Sequence, residues 1–163
     1  MHLVIDIGNT SAKIAVFSQG EMRYVVRCSN QSLEGLDELC QQYPIQKGIW
    51  ASVISISEEI QQQLQQLPFP MTEFTYQTPI PIRNLYQTPQ TLGVDRLAAV
   101  IAAYTQKPHH PALVIDAGTC ITYDFIDELG QYQGGNISPG MEMRFKALHE
   151  FTSKLPKIQA SGE

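Results

Sequence analysis

The first chemically distinctive stretch of this sequence is the segment 6–13, Asp-Ile-Gly-Asn-Thr-Ser-Ala-Lys, which follows an apolar run. Gly8 would let the backbone approach an anion closely. The amide and hydroxyl side chains that follow it supply small hydrogen-bond donors, and Lys13 supplies a cation. Asp6 could hold a magnesium ion directly or through water. Together these residue types indicate a turn that binds the phosphates of a nucleotide.

A second stretch, 113–119, repeats the same order of residue types, Leu-Val-Ile-Asp-Ala-Gly-Thr. Asp116 ends an apolar strand-like run, Gly118 follows two residues later, and Thr119 supplies a hydroxyl. A single aspartate at such a turn often only bonds its own backbone. Because the aspartate and glycine recur at the same spacing, we favour a functional reading. Two such turns predict two similar lobes that close on one nucleotide.

Two further blocks could carry chemistry. The first, Gly-Val-Asp-Arg at 93–96, follows a long proline-rich segment, as a substrate-binding position would. Alone, its Asp95 and Arg96 are also typical of a helix start, where the dipole favours a carboxylate. The second, Gly-Gly-Asn-Ile-Ser-Pro-Gly at 134–140, is expected to shape the entry of a helix.

In this order, the four blocks closely resemble the type III pantothenate kinases, members of the actin-like ATPase and sugar-kinase superfamily. The family pattern is Asp-x-Gly-Asn-Thr with a basic residue three positions on, then Gly-x-Asp-Arg, Asp-Ala-Gly-Thr and Gly-Gly-x-Ile-x-Pro-Gly. A lone glycine-rich turn matches often by chance. Four blocks in order are far more specific.

The resemblance implies ATP-dependent phosphorylation of pantothenate to 4′-phosphopantothenate, the first step of coenzyme A biosynthesis. In that pattern Asp95 is the general base, and Asp116 holds a monovalent cation, K⁺ or NH₄⁺. ATP with Mg²⁺ would be bound by Asp6, Ile7, Gly8, Asn9, Thr10, Ser11, Ala12, Lys13, Gly118 and Thr119. Pantothenate would be bound by Tyr86, Gly93, Val94, Asp95 and Arg96, the arginine fork suiting a carboxylate. The resemblance also implies a homodimer.

Two alternatives stay open from the residues. One is a non-catalytic relative that acts as an accessory factor in transcription, although every motif residue present is intact. The other is a kinase of a different small hydroxylated substrate, such as a sugar, or of acetate. The chemistry of the residues alone reaches an ATP-dependent kinase of a small hydroxylated substrate, and pantothenate enters only through the resemblance.

The elements around these motifs alternate between strands and helices, which predicts an α/β fold. Strands are expected at 2–7, 12–18, 23–28, 48–53 and 69–76, with helices at 33–43, capped by Ser32, and from Ser57. This is the order of a ribonuclease-H-like lobe. Residues 77–92 are expected to be an irregular loop before a helix that ends near 106. A second lobe then restarts the pattern with strands at 112–116, 121–126 and 132–137 and a helix at 141–152.

We therefore predict two ribonuclease-H-like lobes, 1–107 and 108–163, the second incomplete in this chain. The composition, 43% hydrophobic and 17% charged residues, is that of a globular protein. A net charge of −5 offers no overall attraction to nucleic acid. We see no apolar run of the ~20 residues that cross a membrane and no secretory signal. Three cysteines without metal spacing favour reduced thiols in the cytoplasm.

Overall fold

The computed structural model describes residues 1–159, which form two compact units. The first unit comprises Met1–Pro79 and Gly93–Asp95. The second comprises Ile80–Leu92 and, among the described residues, 96–159. Most of the segment 80–107, which we predicted as part of the first lobe, therefore packs within the second unit.

The first unit is built on one mixed sheet of five strands. They are β1 (His2–Ile7), β2 (Ala12–Ser18), β3 (Glu21–Cys28), β4 (Lys47–Ser52) and β5 (Met71–Glu73). Their spatial order is β3-β2-β1-β4-β5, with β1 antiparallel to β2 and parallel to β4. The α/β class and the order of strands are as predicted, although the last strand is shorter than the expected 69–76.

Two helices pack with this sheet, α1 (Leu36–Gln42) and α2 (Glu58–Gln65). The second helix begins at the predicted place, and Ser57 caps it, because its hydroxyl accepts a hydrogen bond from the Ile60 N–H at 3.3 Å. The predicted cap of α1 was wrong. The chain turns at Leu33 and Gly35, both with positive φ, so α1 begins after Gly35 and not after Ser32.

The core of the first unit explains where Asp6 points. Leu3, Ile5 and Ile7 alternate along β1 and are fully buried in one hydrophobic cluster that includes residues of both helices. Since successive side chains of a strand point to opposite faces, Asp6 lies on the face away from this cluster. The apolar alternation thus leaves the carboxylate half-exposed at the end of the strand.

The second unit contains a four-stranded sheet with the order β6-β9-β8-β7. Its strands are β6 (Arg83–Asn84), β7 (Ala112–Ala117), β8 (Cys120–Ile126) and β9 (Gln131–Pro139). The last three form antiparallel hairpins, and β6 lies parallel to β9. Helix α3 (Val94–Gln106) begins in the short segment of the first unit and runs on into the second, and α4 (Met141–Glu150) follows β9.

The predicted irregular loop 77–92 contains regular structure. A 3₁₀ turn spans Pro89–Thr91, and β6 is held to the edge of the second sheet by two backbone bonds. Arg83 N–H donates to the Gly130 carbonyl at 2.8 Å, and Leu85 N–H donates to the Tyr132 carbonyl at 3.0 Å. These bonds explain why the segment packs with the second unit.

The second unit repeats the beginning of the first and is incomplete by comparison. Strand β1 is paired on both sides, by β2 and β4, whereas β7 within residues 1–159 is paired only by β8. Leu113 and Ile115 on β7 are 61% and 56% exposed, unlike the buried residues of β1. Large apolar side chains left exposed along a strand are typical of a sheet whose covering elements are missing.

Candidate functional site

Asp6 and Lys13 face each other across the hairpin formed by β1 and β2. They are directly paired in the strand register, and Lys13 Nζ lies 3.8 Å from Asp6 Oδ2. Both side chains are about half-exposed, at 43% for Asp6 and 53% for Lys13. An exposed pair at this distance contributes little to stability. The pair instead places one negative and one positive side chain close to the turn that joins β1 to β2.

The turn between these residues is closed by its own backbone. Gly8 N–H donates to the Ser11 carbonyl at 3.0 Å. A Cβ on Gly8 would lie 3.1 Å from that oxygen, so a side chain there would crowd the turn. Asn9 and Thr10 at its tip are exposed. That this tip binds an anion stays a prediction.

The Asn30 side chain, which the sequence patterns did not single out, forms hydrogen bonds to this turn. Its side-chain amide donates to the Gly8 carbonyl at 2.9 Å and to the Asn9 carbonyl at 3.0 Å. Asn30 is 22 residues from Gly8 and belongs to no motif. These two hydrogen bonds hold the two consecutive peptide groups at the tip.

The Asp6 carboxylate beside the first turn fits a divalent ion that is shared with phosphates. Within residues 1–159, no group of three or more His, Cys, Asp or Glu side chains comes together as a metal cluster. Asp6 is a single half-exposed carboxylate. Magnesium in phosphoryl-transfer sites is commonly held by one or two carboxylates together with substrate oxygens and water. Asp6 is therefore suited to such a shared ion.

The second glycine turn joins β7 to β8. Gly118 N–H donates to the Cys120 carbonyl at 2.9 Å. Asp116, Gly118 and Thr119 are all exposed, and Asp116 is paired with Thr122 in the register. The turn thus carries an exposed carboxylate and an exposed hydroxyl, and the cation and ATP contacts assigned to them stay predictions.

Gly140 packs directly on this second turn. Its N–H donates to the Thr119 carbonyl at 3.1 Å. A Cβ at Gly140 would collide with the carbonyl oxygens of Gly118 and Thr119. The final glycine of the 134–140 block is therefore required by a close backbone approach, a role that we had not predicted.

Asp95 and Arg96 lie in the first turn of α3, where a carboxylate is favoured by the helix dipole. Asp95 is partly buried, and Arg96 is only 6% exposed. Arg96 donates from Nε to both oxygens of Asp124 at 3.1 Å and from Nη2 to Oδ1 at 2.6 Å. This hydrogen bonding to Asp124 raises the pKa of the guanidinium, against the effect of burial.

Tyr86 lies beside this buried pair. Its ring stacks on that of Tyr132, with centroids 6.1 Å apart and an interplanar angle of 8°. The Cζ atom of Arg96 lies 5.8 Å from the centre of the Tyr86 ring. The second unit therefore brings together two of the predicted substrate-binding residues, Tyr86 and Arg96, and adds Asp124 and Tyr132, which the motifs did not single out.

Comparison with known proteins gives one consistent family. The family model described as type III pantothenate kinase matches residues 2–163. The chain is 61% identical, over all of its length, to the type III pantothenate kinase of Phocaeicola vulgatus, and 56% identical over 99% of its length to that of Bacteroides fragilis. Among solved structures, an Aquifex aeolicus PPX-GPPA enzyme aligns with a TM-score of 0.44 and 15% identity, over 96% of this chain and 57% of that one. The chain spans 67% of the length of each of the two kinases.

Proposed function

Because the chain belongs to the type III pantothenate kinase family, we propose that its two glycine turns and the start of α3 carry out the family's reaction. That reaction moves the γ-phosphoryl group of ATP to the primary hydroxyl of pantothenate. It yields 4′-phosphopantothenate and begins coenzyme A biosynthesis. The protein is thus a phosphotransferase whose substrates are ATP, with a divalent metal ion, and pantothenate. The family match across residues 2–163, with every motif residue present, is the observation that carries this conclusion.

The first turn is proposed to hold the phosphates of ATP. Phosphoryl transfer depends mainly on positioning and on neutralising charge. The backbone of 6–13 and the Lys13 ammonium supply donors and a cation to the phosphates, while Asp6 holds Mg²⁺, directly or through water. A divalent ion bound there would offset negative charge on the phosphate oxygens. The hydrogen bond from the Gly8 N–H to the Ser11 carbonyl and the two bonds from the Asn30 amide support this role. Both features hold the tip of the turn in one conformation.

The second turn is proposed to contact ATP through Gly118 and Thr119 and to hold a monovalent cation, K⁺ or NH₄⁺, on Asp116. The exposure of both Asp116 and Thr119 at one glycine turn supports this assignment. A cation there would add positive charge near the phosphates. Replacing K⁺ with Na⁺ in the assay should weaken ATP use, and indifference to the ion would remove Asp116 from this role.

Asp95 is proposed as the general base. It accepts the proton of the pantothenate hydroxyl as that oxygen forms a bond to the γ-phosphorus and the bond between phosphorus and ADP breaks. Tyr86, Gly93, Val94 and Arg96 are proposed to bind pantothenate. Arg96 donates from Nε and Nη2 to Asp124, which holds the guanidinium in one orientation.

A homodimer in the cytoplasm, with no nucleic-acid or membrane partner, completes the proposal. Dimer formation and location are implied by the family resemblance alone. In the described part of the chain, the helices are too short or too polar to cross a membrane. Size-exclusion chromatography with light scattering would measure the oligomeric state directly.

The experiment that tests the proposed function is a substrate panel. The longest product of the gene is incubated with ATP, Mg²⁺, K⁺ and one acceptor at a time: pantothenate, a hexose or acetate. Mass spectrometry should find a phosphorylated product only with pantothenate. A product with the hexose or acetate would instead favour another kinase of the superfamily. No product with any acceptor would favour the non-catalytic relative.

A further inference from the structure

The second unit contains a buried carboxylate that the four motifs do not include. Asp124 is only 1% exposed and lies on β8. It accepts three contacts from Arg96 on α3, and it also accepts a hydrogen bond from the Tyr132 hydroxyl on β9 at 2.5 Å. Its two oxygens therefore bind donors from two different elements.

Stability alone is a poor explanation for this arrangement. Removing two charges from water is costly, and well-packed apolar residues often replace a buried ion pair with no loss of stability. Arg96 and Asp124 are nevertheless both nearly inaccessible to water. A buried pair of this kind fixes orientation, since any rotation of the guanidinium breaks bidentate bonds.

We propose that Asp124 is a positioning residue for pantothenate binding and that it acts through Arg96 and Tyr132. The inference rests on the function proposed above. By engaging the Nε and Nη2 edge of Arg96, Asp124 sets the plane of the guanidinium. The direction in which the guanidinium presents its N–H groups is thereby set.

Tyr86 is fixed by the same group of side chains. Its ring stacks on Tyr132, whose hydroxyl is anchored on Asp124, and it lies beside the Arg96 guanidinium. A rotation of either Arg96 or Tyr132 would change the surface against which Tyr86 rests. Asp124 therefore bonds directly to both of these neighbours of Tyr86.

Two glycines of the 134–140 block lie against this arrangement. A Cβ on Gly135 would collide with the Tyr123 carbonyl and lie 2.5 Å from Asp124 Oδ1. Gly134 has φ +107°, and a Cβ there would touch the Tyr86 ring at 3.6 Å. Gly135 thus lets β9 approach Asp124 closely, while Gly134 is favoured by its positive φ, and the two connect a motif with no assigned contact to the proposed pocket.

The test separates the two substrates in steady-state kinetics. Asp124→Asn keeps the shape of the side chain and removes its charge, so Arg96 loses its anchor. We expect KM for pantothenate to rise by about tenfold or more, while KM for ATP changes by less than about twofold. Direct titration of pantothenate by calorimetry should show the same loss of affinity.

Asp127→Asn is the matched control from the same hairpin. Asp127 accepts bonds from the Leu129 and Gln131 N–H groups and from the Gln133 amide, and contacts none of Tyr86, Arg96 or Tyr132 through these bonds. Its replacement should reduce stability and leave both KM values unchanged. A general structural disturbance of the hairpin would therefore be visible in the control.

Tyr132→Phe keeps the inference falsifiable if Asp124→Asn does not fold. It removes one hydroxyl and keeps the ring that stacks on Tyr86, so we expect KM for pantothenate to rise roughly two- to fivefold. Variants that raise the two KM values equally, or that behave like Asp127→Asn, would overturn the inference. If the wild-type protein fails to phosphorylate pantothenate, the proposed function fails and the inference fails with it, a result visible before any variant is compared.

Discussion

The N–H of Gly140 and the carbonyl oxygen of Thr119 are joined by a hydrogen bond of 3.1 Å, which ties the last glycine of the 134–140 block to the second glycine turn. The two residues are 21 positions apart, and no side chain takes part in the bond. The turn proposed to contact ATP is thus bonded to the residue that caps the start of α4. Gly140 therefore holds the second glycine turn in addition to preceding a helix.

Gly140→Ala should destabilise the second unit. The added Cβ would collide with the carbonyl oxygens of Gly118 and Thr119, which belong to the backbone and cannot rotate away. Overpacking of this kind lowers the free energy of unfolding by about 1–3 kcal/mol. Urea denaturation checks this loss. Gly118→Ala is the stability control, because its Cβ would make only an ordinary contact at 3.9 Å; an equal loss in both variants would contradict the explanation.

Asn30→Ala should weaken ATP binding. The side-chain amide fixes the carbonyls of Gly8 and Asn9, so its removal lets the tip of the first turn reorient. We expect KM for ATP to rise roughly three- to tenfold, as for other small losses of positioning. KM for pantothenate should stay nearly constant.

The neighbouring exposed residue offers a control for Asn30, since Gln31→Ala removes a side chain of similar type that makes no contact with the turn in the described hydrogen bonds. Gln31→Ala should leave both KM values unchanged. If Asn30→Ala also leaves KM for ATP unchanged, the hydrogen bonds from Asn30 to the turn have no part in nucleotide binding.

The free energy of unfolding should depend on the ionisation of the buried Tyr132 at alkaline pH. Burial, followed by the hydrogen bond to Asp124, raises the pKa of Tyr132 well above the ordinary tyrosine value of 10.0. The folded state therefore keeps the phenol proton at pH values where the unfolded chain loses it. Because the folded pKa is the higher one, this contribution to stability is fully present below pH 10.0 and is lost as the pH rises above it.

The measurement compares urea unfolding of the wild type and Tyr132→Phe from about pH 8 to about pH 11. The stability advantage of the wild type should be constant up to the ordinary tyrosine pKa and then shrink. Phenylalanine has no proton to lose, so its own curve lacks this decline. An advantage that grows above pH 10.0 would have the wrong sign for a raised pKa.

Much of the site could be read from the sequence because its polar residues end apolar strands. Alternation in 2–7 fixed which face of β1 is buried, and with it the exposure of Asp6. The glycine two residues later located the turn. The same reasoning located Asp116 and Gly118 at the end of β7. The identity of pantothenate, by contrast, came from the family resemblance and not from any chemical pattern.

The residues that were missed act over distances that local patterns do not encode. Asn30 lies beyond β3 and reaches the first turn only because the sheet brings them together. Asp124 is a single acidic residue within an apolar strand, a signal that could have suggested a buried partner. Strand β6 has two residues in a proline-rich segment, and its pairing depends on β9, about 50 residues away. Local propensity carries no information about such a partner.

The central claim is that this protein phosphorylates pantothenate with Asp95 as the base, and Asp95→Asn tests it most directly. Wild type and variant, as the longest product of the gene, are assayed with ATP, Mg²⁺, K⁺ and pantothenate, and phosphopantothenate is quantified by mass spectrometry. Loss of a general base should lower turnover by on the order of a hundredfold or more, with nucleotide affinity nearly unchanged. A variant that makes phosphopantothenate at the wild-type rate would show that Asp95 is not the base.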